Sequence, residues 1–272
     1  MIFRRLFLRV FLRAMSLLGK RRALPLMQRL AALTRAWAAT AHRGLFHVLW
    51  SIPPQTEYQD HFTDMYFLWQ EQRQPFFVER GLHTALALPE EANVLELCCG
   101  DGFYTRYFYS RRARHITALD YDADVIEYAR RYNGTENTDY QTADIRQGLP
   151  EGPFDIVIWN GAIEHFTPAE IEMIMDAVKA RLRPGGILTG WTIAEVAEVG
   201  KQLSHHEYEF KDKEDLARFF TPHFDNVKVW EDIWPPRHTL FFWASDGILP
   251  FDSEWQQAVS LRKPKDITAV LG

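Results

Sequence analysis

The chain has 272 residues, 47% of them apolar and 25% charged, which is enough for one large globular domain with an appended segment. Its net charge of −5 is divided unevenly, because residues 1–56 carry ten lysines or arginines and no acid. All 36 acidic residues follow, which argues against nucleic acid as a partner of the main part. The two cysteines are adjacent, so a disulfide framework is excluded and a reducing, cytoplasmic compartment is favoured. No cysteines and histidines have the spacing of zinc ligands, so no metal site is predicted.

The first 20 residues of this basic extension have the periodicity of an amphipathic helix. Arginines line one face, and the other face carries Phe3, Phe7, Val10, Ala14 and Leu17. The pattern predicts a helix that binds a partner or lies in a membrane interface, here the inner face of the membrane. A helix packed on its own domain and an organelle targeting segment are the alternatives. The arginines exclude a transmembrane span, and no uncharged core fits a secretory signal.

A strand, a glycine-containing turn and the start of a helix follow one another between Val94 and Phe103. Gly100 and Gly102 let the backbone turn sharply and approach a ligand, and the helix offers N–H groups to the ligand's negative end. Glu96 is placed to accept bonds from an ammonium group or from ribose hydroxyls. An ordinary strand-to-helix turn and a dinucleotide fingerprint are the alternatives, and the second fits poorly because no third glycine follows.

Acidic residues end the next two predicted strands, as a nucleoside ligand would require. Asp120 ends the second strand, where it can bond both ribose hydroxyls or, alternatively, cap the helix that follows. Tyr121 offers a ring beside the ribose or the adenine. Asp144 and Ile145 end the third strand and are placed to accept from an adenine amine and to cover the adenine face.

The remaining predicted elements continue this alternation of strands and helices. The strands from the third onward cover residues 139–143, 154–159, 187–193, 227–230 and 240–244. The fourth strand has an apolar run suited to burial on both faces, and Asn160 follows it. A helix from Pro168 to Leu182 begins with Thr167 as its N-cap and ends before a Pro-Gly-Gly breaker.

In this order the motifs resemble those of the class I S-adenosylmethionine-dependent methyltransferases. The resemblance covers about residues 90–245 and rests on Val94 to Gly102, Asp120, Ala143-Asp144, Phe154 to Phe166 and Leu182 to Gly186. It implies an α/β fold with a doubly wound, seven-stranded, mostly parallel, Rossmann-like sheet that ends in an antiparallel hairpin, behind the N-terminal helical extension. The methyltransferase domain would span residues 57–272, with capping helices at 57–88 and the core sheet at 90–245.

The resemblance implies S-adenosyl-L-methionine as the cofactor. Its predicted contacts are Glu96, Cys98, Gly100, Gly102, Asp120, Tyr121, Asp144, Ile145 and Asn160. Cys98 departs from the family pattern, which reads acid-x-Gly-x-Gly-x-Gly and has glycine at this position. Helices before the first strand often cover the active site in this family, which makes Tyr66 and Trp69 candidate substrate contacts.

The residues after the fourth and fifth strands are expected to face the methyl acceptor, because ligands lie beyond the carboxyl ends of such strands. Glu164, a candidate substrate contact, and His165 follow the fourth strand, and a His-His-Glu-Tyr-Glu cluster at 205–209 follows the fifth. His206 is the predicted general base, because the acids after it can orient its ring. His205 and His165 are the alternative bases, and a solvated loop without a catalytic role is the alternative for the cluster.

These features predict a methyltransferase that acts on a small polar acceptor, such as a sugar, a glycan or a lipid-linked molecule at a membrane surface. Oxygen and nitrogen acceptors are both compatible with the sequence. The alternatives are a non-catalytic module that binds S-adenosylmethionine and, with less support, a nicotinamide-dependent oxidoreductase.

Overall fold

The computed structural model describes residues 2–53, 69, 73–195, 205–235 and 237–253. The chain divides into two compact units, one of residues 1–55 with 258–272 and one of residues 56–257. The first unit contains helix α1, Ile2–Ser51, whose helical backbone is interrupted at Gly19, with a φ of 69°. Helix α1 therefore consists of two helical segments that meet at Gly19, and the first of them lies within the amphipathic segment predicted at residues 1–20.

Helix α1 exposes the apolar face that its sequence predicts. Phe7, Val10 and Leu17 are exposed, as are Arg9 and Arg13 on the other face. Within the described residues, no helix is both long enough and apolar enough to cross a membrane. A contiguous apolar stripe next to water is typical of surfaces that contact a partner or a membrane.

A seven-stranded sheet forms the second unit. In chain order, its strands are β1 (Ala92–Leu97), β2 (Ala113–Asp120), β3 (Thr138–Thr142), β4 (Phe154–Asn160), β5 (Leu182–Ile193), β6 (Asn226–Trp234) and β7 (Arg237–Ser245). They lie in the order β3-β2-β1-β4-β5-β7-β6. The first five strands run parallel and β7 runs antiparallel to both of its neighbours, which confirms the predicted sheet and its final hairpin.

The described helices of this unit are α2 (Phe76–Ala87), α3 (Ala123–Asn133), α4 (Pro168–Arg181) and α5 (Lys213–Ala217). Thr167 caps α4 through a capping box with Glu170, as the sequence predicts for its start. Asp122 caps α3, so the alternative role of Asp120 as a helix cap is wrong. Helix α2 lies in the predicted capping region, whose residues 54–68 and 70–72 are outside the described residues.

Strand β5 begins earlier than the sequence predicts, at Leu182 instead of Ile187. Leu182 pairs with Phe154, and Ile187 pairs with Ile156 after a shift of register. The predicted Pro-Gly-Gly breaker is thus an irregularity at the start of a strand, because the chain leaves α4 directly beside β4.

Strand β4 supplies the core on both faces of the sheet. Ile156 and Ile158 pack into one hydrophobic cluster, whereas Val157 and Trp159 pack into a second cluster. All four side chains are fully buried, as expected for a parallel strand covered on both faces. The turn that follows β4 is therefore anchored at the centre of the unit.

Two carboxyl groups join α2 to the final hairpin. The indole N–H of Trp234 donates to Glu79 Oε2 at 2.9 Å and to Asp232 Oδ2 at 2.8 Å. Burial, followed by the hydrogen bond and charge of Asp232, raises the pKa of Glu79 to about 7. In the folded chain Glu79 thus keeps a proton at pH values where an unfolded glutamate has lost it.

The variant Glu79→Gln should remove one pH dependence of stability. A carboxyl group with a raised pKa stabilises the fold below its unfolded pKa of 4.5, and this contribution is lost as the pH rises through about 7. Between pH 5 and pH 8, the free energy of unfolding of the wild type should fall relative to the variant by about 1 kcal/mol after solvent screening. Urea denaturation at the two pH values measures this difference, and parallel pH profiles would contradict it.

Candidate active site

Three residues in the left-handed backbone region build the loop after β1. Cys98, Gly100 and Gly102 have φ values of 54°, 54° and 72°. This conformation costs a residue with a side chain roughly 1–2 kcal/mol. Cys98 packs partly buried against a core cluster, so the position accepts a small side chain although its backbone suits glycine.

Hydrogen bonds hold this loop over the end of β2. The amide of Cys99 donates to the carbonyl of Leu119 at 2.8 Å, and the amide of Gly100 donates to Asp120 Oδ2 at 2.9 Å. Asp120 Oδ1 accepts from the amide of Asp122 at 3.1 Å. Asp120 is 8% exposed, and a carboxylate can accept about four hydrogen bonds, which is more than the backbone amides around it supply.

The two glycines of the loop have different surroundings. A Cβ on Gly102 would lie 2.8 Å from Cζ of Tyr140, so a side chain at this position would displace the Tyr140 ring. A Cβ on Gly100 would meet nothing within 4 Å. Open space therefore lies directly over the Gly100 backbone, beside the carboxylate of Asp120.

Glu96 lies in the interior, beneath this loop. Its side chain is 2% exposed and accepts a hydrogen bond from the hydroxyl of Thr105 at 2.6 Å. Burial raises the pKa of Glu96 to about 8. Glu96 thus joins β1 to the turn at Thr105–Tyr109, and its contact with a ligand stays a prediction from the sequence.

The predicted adenine contacts lie in two different environments. Asp144 caps a short helical turn. Its two carboxylate oxygens accept from Nε and Nη2 of Arg146, each at 2.9 Å. This pairing holds the pKa of Asp144 below its ordinary value. Ile145 packs into a core cluster, whereas Tyr121 is exposed at the end of β2.

Asn160, at the end of β4, connects three elements. Its Oδ1 accepts from the hydroxyl of Thr84 on α2 at 3.1 Å, and its Nδ2 donates to the hydroxyl of Tyr109 at 2.8 Å. The sequence analysis missed both partners, because they lie far from Asn160 along the chain. The amide is thus fixed at the edge where β1 and β4 separate, the usual position of a ligand in such sheets.

A cluster of three histidines lies in the segments that follow β4 and β5. His165 ends the turn after β4, and His205 and His206 follow β5. The rings of His165 and His205 are stacked at 4.9 Å, and the ring of His206 meets that of His165 edge-on at 4.9 Å. His206 is buried, and its Nδ1 is hydrogen-bonded to the carboxylate of Glu209. The three candidate bases are therefore brought together, and Glu209 orients the ring of His206.

Glu164 attaches this cluster to the sheet. Its carbonyl accepts from the amides of Glu207 and Tyr208 at 2.9 and 3.1 Å, and its carboxylate accepts from the hydroxyl of Thr192 at 2.8 Å. Burial raises the pKa of Glu164, although the charges of His206 and Arg80 oppose this effect. Glu164, a predicted substrate contact, thus holds segment 205–210 against the turn after β4.

Of the predicted substrate contacts on the capping helices, only Trp69 is described. Its ring is 5.6 Å from that of Phe77, and the side chain is 46% exposed. Tyr66 lies outside the described residues. Arg80, which the sequence analysis missed, is buried on α2 with its guanidinium 3.8 Å from the ring of Trp191.

Negative charges connect the loop after β1 with the histidine cluster. Burial raises the pKa of the Cys98 thiol well above its ordinary value, and the charges of Asp120, Glu164 and Asp144 raise it further. The charge of Arg146, which pairs with Asp144, lowers it. Acidic groups from three segments therefore act on one point of the loop, and one of them already has a cationic partner.

The comparison with known proteins agrees with this geometry. Residues 94–186 match the family model described as a methyltransferase domain. In sequence, this region is therefore similar to a methyltransferase domain. The match begins in β1 and ends in β5, so it includes the loop after β1, Asp120, Asn160 and His165.

The chain is also similar to methyltransferases of several bacteria. The chain is 35% identical over 104 residues to an uncharacterized methyltransferase of Synechocystis sp., covering 38% of this chain and 47% of that protein. It is 29% identical over 111 residues to a trans-aconitate 2-methyltransferase of Azoarcus sp., covering 40% and 42%. The match thus spans less than half the length of both relatives.

Among solved structures, the chain is similar to N-methyltransferase NodS from Bradyrhizobium japonicum in complex with S-adenosyl-L-homocysteine. The identity is 18% and the TM-score 0.51, over 67% of this chain and 92% of that one. A similarity at this level of identity concerns the fold alone.

Alanine at the two loop glycines should destabilise the methyltransferase domain unequally. Gly100→Ala adds only the backbone strain of a positive φ, on the order of 1 kcal/mol. Gly102→Ala adds the same strain and also displaces Tyr140, so its total cost should be roughly 2–4 kcal/mol. Urea denaturation of both variants measures the difference, and equal losses would show that the contact with Tyr140 carries no weight.

Proposed function

We propose that this chain is an S-adenosylmethionine-dependent methyltransferase that transfers a methyl group to an oxygen atom of a small polar acceptor. The observation that carries the proposal is the rim formed by Gly100 and Asp120. Open space lies over the backbone of Gly100, and the neighbouring carboxylate keeps lone pairs for ribose hydroxyls. Asn160 and the histidine cluster lie beyond this rim, on the side where the methyl acceptor would bind.

The charge of the site supports S-adenosylmethionine over a nicotinamide dinucleotide. The sulfonium and ammonium groups of S-adenosylmethionine are cations, which suit an edge where the carboxylate of Asp120 faces the open space over Gly100. A dinucleotide would bring a negatively charged pyrophosphate to the same edge. Phe103 also fills the position after Gly102 with a buried ring, and no third glycine follows.

The histidine cluster supports catalysis over a purely binding role and favours an oxygen acceptor. Methyl transfer needs the acceptor atom held about 3 Å from the methyl carbon and in line with the breaking bond. A hydroxyl acceptor must also lose its proton, and His206 with Glu209 forms an oriented imidazole suited to take it. An amine acceptor would need only to arrive neutral. The acceptor class we propose is a sugar, a glycan or a lipid-linked molecule.

Calorimetric titration tests the cofactor half of the proposal. Wild-type protein should bind S-adenosylmethionine with an affinity on the order of micromolar and should not bind NAD measurably. Asp120→Ala should weaken binding of S-adenosylmethionine at least about tenfold, which corresponds to about 1.4 kcal/mol.

Asp139→Ala is the matched control, because this aspartate is exposed on β3. The circular dichroism spectrum and the urea midpoint of each variant establish that it is folded. Unchanged affinity in a folded Asp120→Ala protein would remove this residue from the ribose site, and tight binding of NAD would overturn the choice of cofactor.

The N-terminal helix supports contact with an anionic membrane surface. Phe7, Val10 and Leu17 are exposed on one face of α1, and Arg9 and Arg13 are exposed on the other. Apolar insertion and attraction to anionic lipids act together in such helices. An acceptor carried by a lipid would then meet the enzyme at the surface of the membrane.

The double variant Arg9→Glu/Arg13→Glu should bind anionic vesicles more weakly than the wild type. Each basic residue near such a surface contributes about 1 kcal/mol, so the loss should exceed about tenfold and should shrink at high salt. Sedimentation with vesicles of phosphatidylserine and phosphatidylcholine measures binding. Arg111→Glu/Arg114→Glu, at two exposed positions of the second unit, is the control with the same change in net charge. Failure of the wild type to bind these vesicles at low salt would refute the membrane proposal.

A further inference from the structure

We propose that His165, His205 and His206 bind one divalent transition-metal ion, with zinc as the first ion to test. Imidazole nitrogens are the ligands that zinc, copper, iron and nickel accept most readily from neutral side chains. The metal-binding part of this proposal is independent of the proposed function, whereas the catalytic part rests on it. The sequence analysis predicted no metal site, because it considered only spacing along the chain.

The distances between the three side chains carry the proposal. One ring nitrogen from each histidine lies within 4.8 Å of those of the other two. A tetrahedral zinc with bonds of 2.0–2.1 Å needs its nitrogen ligands about 3.3 Å apart, so modest rotations of the rings would close the site. The backbone is already fixed, because the amide of Glu207 donates to the carbonyl of Glu164 at 2.9 Å and thereby joins the two segments.

The surroundings of two rings point to a ligand between them. His206 uses Nδ1 for its bond to Glu209, which leaves Nε2 as the ring nitrogen that can bind a metal ion. A carboxylate that orients a histidine in this way is the usual support of a metal-bound imidazole. The Nε2 of His205 is buried and has no hydrogen-bond partner among the described residues, which is unfavourable unless something binds there.

Charge also favours a cation at this position. Glu164 and Glu209 are buried carboxylates in contact with the histidine segments, and each can compensate part of the charge of a dication. The centroids of the three rings are separated by 4.9–5.4 Å, which is close enough for all three rings to share one ion.

Three histidine ligands leave a fourth position open, as in catalytic zinc sites. If the proposed function holds, the acceptor hydroxyl would occupy this position and lose its proton to water, because binding to the ion lowers its pKa. The resulting oxyanion attacks the methyl carbon, and the carbon–sulfur bond breaks with its electron pair left on sulfur. Metal binding and base catalysis exclude each other at His206, since one lone pair cannot serve both.

Metal binding to the full-length protein, produced without a histidine tag and stripped with chelator, tests the proposal. Titration with Zn²⁺ followed by elemental analysis should give one ion per chain, and Co²⁺ should give the visible absorption of a tetrahedral site. His205→Ala and His165→Ala should each lower the affinity at least about 100-fold, and Glu209→Gln should lower it about 10- to 100-fold. His115→Ala, an exposed position on β2, should bind as the wild type does.

Circular dichroism and urea denaturation of the metal-free variants establish that each is folded. Absence of stoichiometric binding in the wild type, or undiminished binding in folded His205→Ala and His165→Ala, would overturn the site. Calorimetry with S-adenosylmethionine on the same samples separates the two proposals. Cofactor binding without zinc binding leaves the imidazole of His206 as the base, and zinc binding without cofactor binding refutes the proposed function but not the metal site.

Discussion

Glu164 is the residue on which the arrangement of the site depends. Its carboxylate accepts from Thr192 on β5, and its carbonyl accepts two amides of segment 205–210. The turn after β4, the strand beside it and the histidine segment are therefore held by one residue. Its burial is supported by the core strand β4, whose side chains are covered on both faces of the sheet. The histidine segment is thus positioned next to a strand whose core side chains are fully buried.

Several buried acidic groups lie at the same edge of the sheet, and their surroundings differ. Glu96 is fully buried, and burial raises its pKa to about 8. At the rim, burial also raises the pKa of Asp120, but backbone amides that donate to both of its oxygens oppose this effect. The number of donors around each carboxyl group thus differs within one sheet edge.

Local sequence patterns were sufficient for the elements and for the rim of the site. Thr167 and Pro168 predicted the start of α4. Gly100 and Gly102 predicted the loop after β1, and the acid at the end of the next strand predicted the position of Asp120. The rest depended on contacts between distant residues. The partners of Asn160 are Thr84 on α2 and Tyr109 in the turn Thr105–Tyr109. The three histidines come from two segments that lie close together only because β4 and β5 are neighbours in the sheet. The periodicity of residues along the chain does not predict such contacts.

The cysteine in the loop after β1 has a consequence for the chemistry of the whole chain. A thiol is alkylated or oxidised through its thiolate, and thiolate formation at Cys98 and Cys99 is opposed by burial and by the surrounding carboxylates. The loop therefore carries sulfur where glycine is usual without gaining a reactive nucleophile. Both sulfur atoms are instead favoured in the thiol form, which reacts less readily than the thiolate.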